Sequence, residues 1–357
     1  MYQKDSFCAI ILGRFFISRD WRCSSKLKFW DRKGEIKFLR AYLRSFPNSI
    51  LFIYGPKSSG KSTLIMEVIR RLRSNERVIY FDFRSKLLRA SQSFIDLFFK
   101  IGGSEREGLK SAFDIDEKSK KGMSHGEINP FEIMEEQLKR GSGGNVIIVD
   151  EVQKLKGLYS DPRFKDGGLM DELLNFFVRI TKVEHISHVI LMTSDTFFIE
   201  ELSSRSLLAN CAEYYLVDFF SDDIAKEILL SEHLNDVEAS YVVSWCGGVP
   251  WFLERVLSKR KILGVKEAVK SLYDMVKGEV LKSLGRLWRG KEDLAKKDGE
   301  VLVKVVMGGR VDMLLRDRDS VERLASEEVV FYDPIKGLVR PQTRLHDRAI
   351  REILGLQ

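Results

Sequence analysis

The chain has 357 residues, 44% hydrophobic and 31% charged, and its 59 basic and 52 acidic side chains leave a formal net charge of +7. That length predicts two or three domains, the mild basic excess permits a nucleic-acid partner without requiring one, and the charged fraction leans toward a thermophilic source. Cys8, Cys23, Cys211 and Cys246 form no CxxC pair, and His125, His185, His188, His233 and His346 form no HExxH pattern, which argues against a zinc site, a disulfide framework or histidine chemistry and for a reducing cytoplasm.

The first apolar stretch, Phe7 to Phe16, is broken by Arg14 and lacks a small-residue cleavage site, so it reads as a strand or packing arm. No other run approaches membrane length. Ile36, Leu39, Leu43 and Phe46 then fall on one helical face, which Pro47-Asn48 ends. The apolar run from Ser49 to Tyr54 fits a buried parallel strand. Lys61 to Arg73 has helical periodicity, Val78 to Phe83 reads as a second strand, and a helix follows near Ser91 to Ile101.

Residues 102–129 are rich in Gly, Ser and charge and are expected to form a mobile surface loop. A helix from Pro130 to Arg140 leads into Val146-Ile147-Ile148-Val149, the most apolar strand. After a loop from Gly157 to Gly168 and a helix from Leu169 to Val183, strands at His188–Met192 and Glu213–Val217 complete five. Strands alternating with helices give an α/β domain with a parallel sheet. From Ser221 to Lys277 only helical periods appear. In the last third, Leu294, Val301, Leu302, Val305 and Val306 form a stripe, and Val311–Leu315 and Val321–Leu324 suggest two short helices, the second capped by Asp319 or Ser320. A hairpin over Val329–Arg340 turns at Asp333–Gly337. Three helices plus a hairpin read as a winged helix. Arg310, Arg316, Arg318, Arg323 and Lys336 could face DNA phosphates there, but the interleaved Asp312, Asp317, Asp319 and Glu322 equally suit a solvated, salt-bridged face.

The chemistry is concentrated in two motifs. Gly55-Pro56-Lys57-Ser58-Ser59-Gly60-Lys61-Ser62, followed by Thr63, matches G-x-x-x-x-G-K-[ST] between a strand and a helix. Glycines let the backbone N–H groups curl inward around an anion, and the helix start aims its positive end at the same point. Lys61 is expected on the β- and γ-phosphates of ATP or ADP, and Ser62 on Mg2+. In the second motif four apolar residues end in Asp150 and Glu151 at the carboxyl end of a strand, where open α/β sheets place their ligands. Asp150 is expected to hold Mg2+ and Glu151 to polarise the attacking water as a general base. At the tip of the neighbouring strand, Ser194 is the first choice, and Thr193 the second, for a hydroxyl touching the γ-phosphate or the water; ordinary turn hydrogen bonds are the plainer reading.

The order Asp31-Arg32…Glu35, glycine-rich loop, apolar strand with Asp150-Glu151, polar strand tip and Gly247-Gly248-Val249-Pro250 resembles the archaeal ATPase family over about residues 25–355. That family is a signal-transduction (STAND) group of P-loop NTPases related to AAA+ proteins. The resemblance implies an N-terminal arm (1–24), a P-loop ATPase domain (25–220) with a parallel five-stranded sheet of order 5-1-4-3-2, a helical lid (221–278) and a C-terminal winged-helix domain (279–357). It implies that Asp31 and Arg32 lie on the adenine side and that Pro250 abuts the base, while the residues alone make Gly247–Pro250 a helix stop and restart. Arg205 resembles the family arginine that reaches the γ-phosphate in cis or in trans; without a flanking glycine, a surface arginine serves as well.

The function that follows is that of an ATPase with ATP/ADP and Mg2+ as cofactors, acting in the cytoplasm as a nucleotide-dependent molecular switch with a regulatory winged helix. The alternative is a DNA-binding AAA+-like initiator or mobile-element ATPase. Expected partners are ATP, DNA through the winged helix, and a protein or a second copy of the chain; no membrane is expected.

Overall fold

A computed structural model describes residues 29–30, 32–72, 76–83, 94–101, 109–110, 112–140, 144–155 and 168–356. The chain divides into Met1–Trp30 and Asp31–Gln357. The expected arm at 1–24 and Asp31 lie outside the described residues.

Five strands of the second unit form the body of its sheet, and the central ones carry apolar runs covered on both faces, as parallel strands require. These are β1 (Ile50–Tyr54), β2 (Arg77–Asp82), β6 (Asn145–Asp150), β7 (Ser187–Thr193) and β8 (Ala212–Leu216). Three short strands lie between β2 and β6: β3 (Phe99–Ile101), β4 (Leu109–Lys110) and β5 (Phe113–Ile115). The main sheet runs β4-β2-β6-β7-β1-β8, and every pairing in it is parallel. Its register sets Tyr54 beside Thr193 and Asp150 beside Met192, so the ends of β1, β6 and β7 meet at one edge. Every residue of β1, β6 and β7 is buried. On one face an aromatic cluster that includes Phe81, Phe83, Phe94, Phe98 and Phe113 fills the core.

Several expectations need correction. The first helix spans Lys33–Arg44, so Phe46 lies beyond it, 69% exposed, against His185. Among the described residues of the expected Ser91–Ile101 helix, Phe94–Phe98 is helical and the chain then enters β3, which pairs with β5. The segment read as a mobile loop carries β4, β5 and a helix at Glu117–Ser124, whose Asp116 cap accepts from the Ser119 N–H at 2.6 Å. Phe113, Ile115 and Met123 are buried, and they anchor a segment of charged composition.

Beyond the sheet come helices Asp222–Ser231, Asp236–Cys246, Pro250–Leu263 and Val265–Trp288. The second opens with a reciprocal capping box between Asn235 and Glu238. The fourth is a continuous 24-residue helix that runs through position 278, where a domain boundary was expected. Helices Glu292–Val306 and Arg318–Ser326, the antiparallel hairpin β9 (Val330–Asp333) and β10 (Leu338–Pro341), and a helix at Arg344–Ile353 complete the chain. Val311–Leu315 is a turn rather than a helix, because Asp312 accepts from the Leu314 and Leu315 N–H groups, each at 3.1 Å. The next helix is entered from Asp317, not from Asp319 or Ser320. Among the described residues no helix is long and apolar enough to cross a membrane.

Candidate active site

β1 delivers the chain to Gly55, and the Lys61–Arg70 helix carries it away after Gly60. Only glycine fits position 55: φ is +148°, and an added Cβ would sit 2.3 Å from the Val217 carbonyl oxygen at the end of β8. Ser58 and Gly60 also have positive φ, of 63° and 90°, so the backbone curls before the helix starts. This is the geometry in which successive N–H groups converge on an anion at a helix N-terminus. Ser59 is fully buried, and its Oγ has no hydrogen-bond partner among the described residues. A buried hydroxyl of this kind is costly unless it meets a ligand or water.

The site is densely connected. Lys61 is 7% exposed, and its Nζ donates to the carbonyls of Gly55 at 2.9 Å and Pro56 at 3.0 Å, so the ammonium lies across the mouth of the loop. Ser62 Oγ donates to Asp150 Oδ2 at 2.7 Å, and Tyr80 Oη donates to the same oxygen at 3.0 Å. One hydroxyl beside one carboxylate, both hard oxygen donors, suits Mg2+, which keeps several waters and takes its remaining ligands from substrate phosphates. Among the described residues no cluster of three or more His, Cys, Asp or Glu side chains forms an all-protein metal cage.

Glu151 follows at φ +58°, a strained conformation for a non-glycine residue, and is 5% exposed. A short turn over Val152–Leu155, anchored by the buried Val152 and Leu155, brings Gln153 back alongside it. Gln153 Nε2 donates to Glu151 Oε2 at 2.6 Å, and Thr193 Oγ1 donates to Gln153 Oε1 at 2.7 Å. The strand-tip hydroxyl linked to Glu151, through Gln153, is that of Thr193; Ser194 is half-exposed. Gln153 and Tyr80 were not found from the sequence. Spacing alone offered no signal for either, although Gln153 lies two residues beyond Glu151.

The remaining expected residues divide. Pro56 is buried in the loop, and Lys57 and Thr63 are exposed on it. Arg32 is 5% exposed, and its donors meet protein groups: Ser59 O at 2.6 Å, Asp218 O at 2.9 Å and Glu35 Oε1 at 2.6 Å. Its guanidinium also lies over the Phe220 ring, 4.4 Å from the centroid. Arg32 thus braces the phosphate loop from behind and ties it to the exit from β8. Phe220 in turn forms an antiparallel bridge with Gly248. Pro250 occupies the first turn of its helix and is half-buried. Arg205 pairs with Asp171 and, at 2.8 Å, with Glu201; the structure does not bring it to the loop or to the acids.

The C-terminal segment packs against this end of the sheet. Tyr54 Oη donates to Asp333 Oδ1 at 2.9 Å, and burial, reinforced by Asp333, pushes the phenol well above its usual range. Lys57 Nζ donates to both oxygens of Glu328, at 2.9 and 2.8 Å. Arg318 grips Glu200 through two hydrogen bonds of 2.8 and 2.9 Å, and Tyr332 packs on Phe197. Arg323 donates at 2.6 Å to Asp298, which is fully buried and also accepts from Trp288. Two of the arginines considered for DNA contact are thus engaged within the chain, while Arg310, Arg316 and Lys336 are exposed.

Comparison with known proteins agrees with this geometry. A family model described as an ATPase domain predominantly from Archaea matches residues 29–256. An uncharacterized ATP-binding protein of Methanocaldococcus jannaschii is 32% identical over 348 residues, covering 92% of this chain and 95% of its own. A second one from the same organism is 31% identical over 342 residues, covering 92% and 99%. Among solved structures, a Walker-type ATPase of Pyrococcus abyssi superposes with a TM-score of 0.64 at 18% identity, covering 90% of this chain and 96% of that one, a likeness of fold.

Proposed function

The chain belongs to the ATPase family found predominantly in Archaea, and from that premise we propose that it binds ATP with Mg2+ at the Gly55–Ser62 loop and hydrolyses it, as the event that drives a nucleotide-dependent molecular switch. The relatives' description as ATP-binding proteins supports the ligand. One observation carries the reading: two motifs 88 residues apart meet in the Ser62–Asp150 hydrogen bond of 2.7 Å, with Lys61 alongside.

In this reading Lys61 binds the β- and γ-phosphates, and the N–H groups from Lys57 to Thr63 surround them. Ser62 and Asp150 would hold Mg2+, which supplies charge neutralisation at the transferring phosphoryl group. Glu151 takes the proton of the attacking water, a task that typically contributes about 10²–10⁴-fold. Arg32 keeps the loop in shape rather than touching the base. Arg205 has no part in this scheme, because two carboxylates already hold it.

We assign residues 25–220 to the ATPase domain, 221–278 to a helical lid and 279–357 to a regulatory winged helix. The contacts of Tyr54 and Lys57 with Asp333 and Glu328 support a C-terminal domain that senses the loop. The helix Val265–Trp288, continuous between lid and C-terminal domain, supports their moving together. A DNA-binding role rests on the exposed Arg310, Arg316 and Lys336, since Arg318 and Arg323 are ion-paired inside the molecule.

The test is magnesium linkage. ATP affinity of the wild-type chain should rise with Mg2+ and fall in chelator, whereas in Ser62→Ala and Asp150→Asn chelation should make little difference. Variants that keep the full response to Mg2+ would remove these residues from the metal site.

A further inference from the structure

Glu151 needs something to hold it. A non-glycine residue with φ near +58° persists only where its surroundings over-determine it, and a carboxylate that is to accept a proton from water must keep one orientation. The structure supplies a directed chain of hydrogen bonds. The Asp195 N–H donates to Thr193 Oγ1 at 3.0 Å, Thr193 Oγ1 donates to Gln153 Oε1 at 2.7 Å, and Gln153 Nε2 donates to Glu151 Oε2 at 2.6 Å.

The polarity of this chain is forced. An ionised carboxylate only accepts, so the Gln153 amide must turn its nitrogen toward Glu151 and its oxygen toward Thr193. Thr193 must then donate, and its lone pairs are met by the Asp195 N–H. Both ends are rigid. Thr193 is 1% exposed and is the register partner of Tyr54, the residue that leads into the phosphate loop. Gln153 sits on a turn whose Val152 and Leu155 are 0% and 4% exposed. A carboxylate has about four lone-pair sites, so an amide donor on one oxygen orients the group without exhausting it.

We propose that Gln153, held by Thr193, is the positioning residue of the hydrolytic step: it fixes Glu151 against the tip of β7 so that the carboxylate faces the attacking water. The proposal rests on the hydrolytic reading of Glu151 and deepens it. Gln153 exchanges no proton itself, and its loss acts through Glu151 alone. Thr193 acts one step further away, through Gln153, so the task falls to its buried hydroxyl rather than to that of the half-exposed Ser194.

The experiment measures single-turnover phosphate release from Mg·ATP, ATP affinity by titration and thermal midpoint, on the full chain. It compares wild type with Gln153→Ala, the nearly isosteric Gln153→Glu, Thr193→Val, Thr193→Ser and the double variant Gln153→Ala/Thr193→Val. Turnover should fall about 10-fold or more in both Gln153 variants and in Thr193→Val, while ATP affinity stays within about 2-fold. Thr193→Ser, which keeps the hydroxyl, should restore most of the rate. The double variant should be no slower than Gln153→Ala, because both changes break one chain. Wild-type rates in Gln153→Glu, a parallel loss of affinity and turnover, or losses that multiply in the double variant would each overturn the proposal. A wild-type chain that binds ATP but releases no phosphate would refute the hydrolytic reading and this inference with it; turnover in wild type that is indifferent to Gln153 would refute the inference alone.

Discussion

The carboxyl end of the sheet and the C-terminal face packed against it are both rich in charge, yet they use it differently. At the sheet end Arg32, Lys61, Asp150 and Glu151 are each 5–7% exposed, and their positions follow from backbone geometry: a loop with three positive φ angles and a strand end with a fourth. On the C-terminal side the Tyr54–Asp333 hydrogen bond is buried, but the bridging ion pairs are open to water; in Lys57–Glu328 the two side chains are 58% and 50% exposed. Buried charges must be paired and fixed, which costs stability and gives precise placement. Exposed pairs contribute about 1 kcal/mol or less and are readily exchanged. The first region holds its charged groups in fixed geometry, and the second meets it in part through pairs that water reaches.

The largest effect should come from the buried side. Lys61→Ala removes a charge-assisted donor from the phosphates and should weaken ATP binding by about 10- to 100-fold in a calorimetric titration. An affinity within 2-fold of wild type would mean that the ammonium across the loop serves only the carbonyls of Gly55 and Pro56. After β8 comes the bridge between Phe220 and Gly248, where a Cβ on Gly248 would sit 1.9 Å from the Phe220 carbonyl oxygen. Gly248→Ala should therefore force the strands of this bridge apart, costing about 1–3 kcal/mol as read by denaturant unfolding. An unchanged midpoint would show that the bridge is easily displaced. The smallest effect is expected from Glu328→Gln, which breaks only an exposed pair: stability should change by less than about 1 kcal/mol, and any gain in ATP affinity should shrink as salt is raised. A loss of several kcal/mol would make the C-terminal contact as fixed as the sheet end and end the contrast.

The same contrast governs what could be read from the sequence. The phosphate loop and the Asp150-Glu151 strand end were legible because close backbone approach and phosphate geometry prescribe residue types at fixed spacing, as at Gly55, where Val217 leaves no room for a side chain. The five long strands were legible from their apolar runs. The short strands β3 to β5 were not, because Phe113 and Ile115 are few among charged neighbours and their partner, Phe99–Ile101, continues an apolar stretch whose spacing suits a helix. Gln153 and Tyr80 escaped because each acts through a contact set by tertiary structure: one by a turn after a strained residue, the other across the β2–β6 pairing. Arg32 was singled out by its place in the motif order, but its three protein acceptors and the aromatic face it covers are set by tertiary structure. The arginines of the C-terminal third were ambiguous in sequence because an interleaved pattern of opposite charges does not say which acid pairs with which base. Arg318 chose Glu200, 118 positions away.

The central claim is that the loop holds a triphosphate while Glu151 activates water beside it. The most direct test is single-turnover phosphate release from Mg·ATP by Glu151→Gln, measured with ATP affinity on the same preparation. The account predicts wild-type affinity with hydrolysis slowed about 10²-fold or more; wild-type turnover in that variant would contradict it.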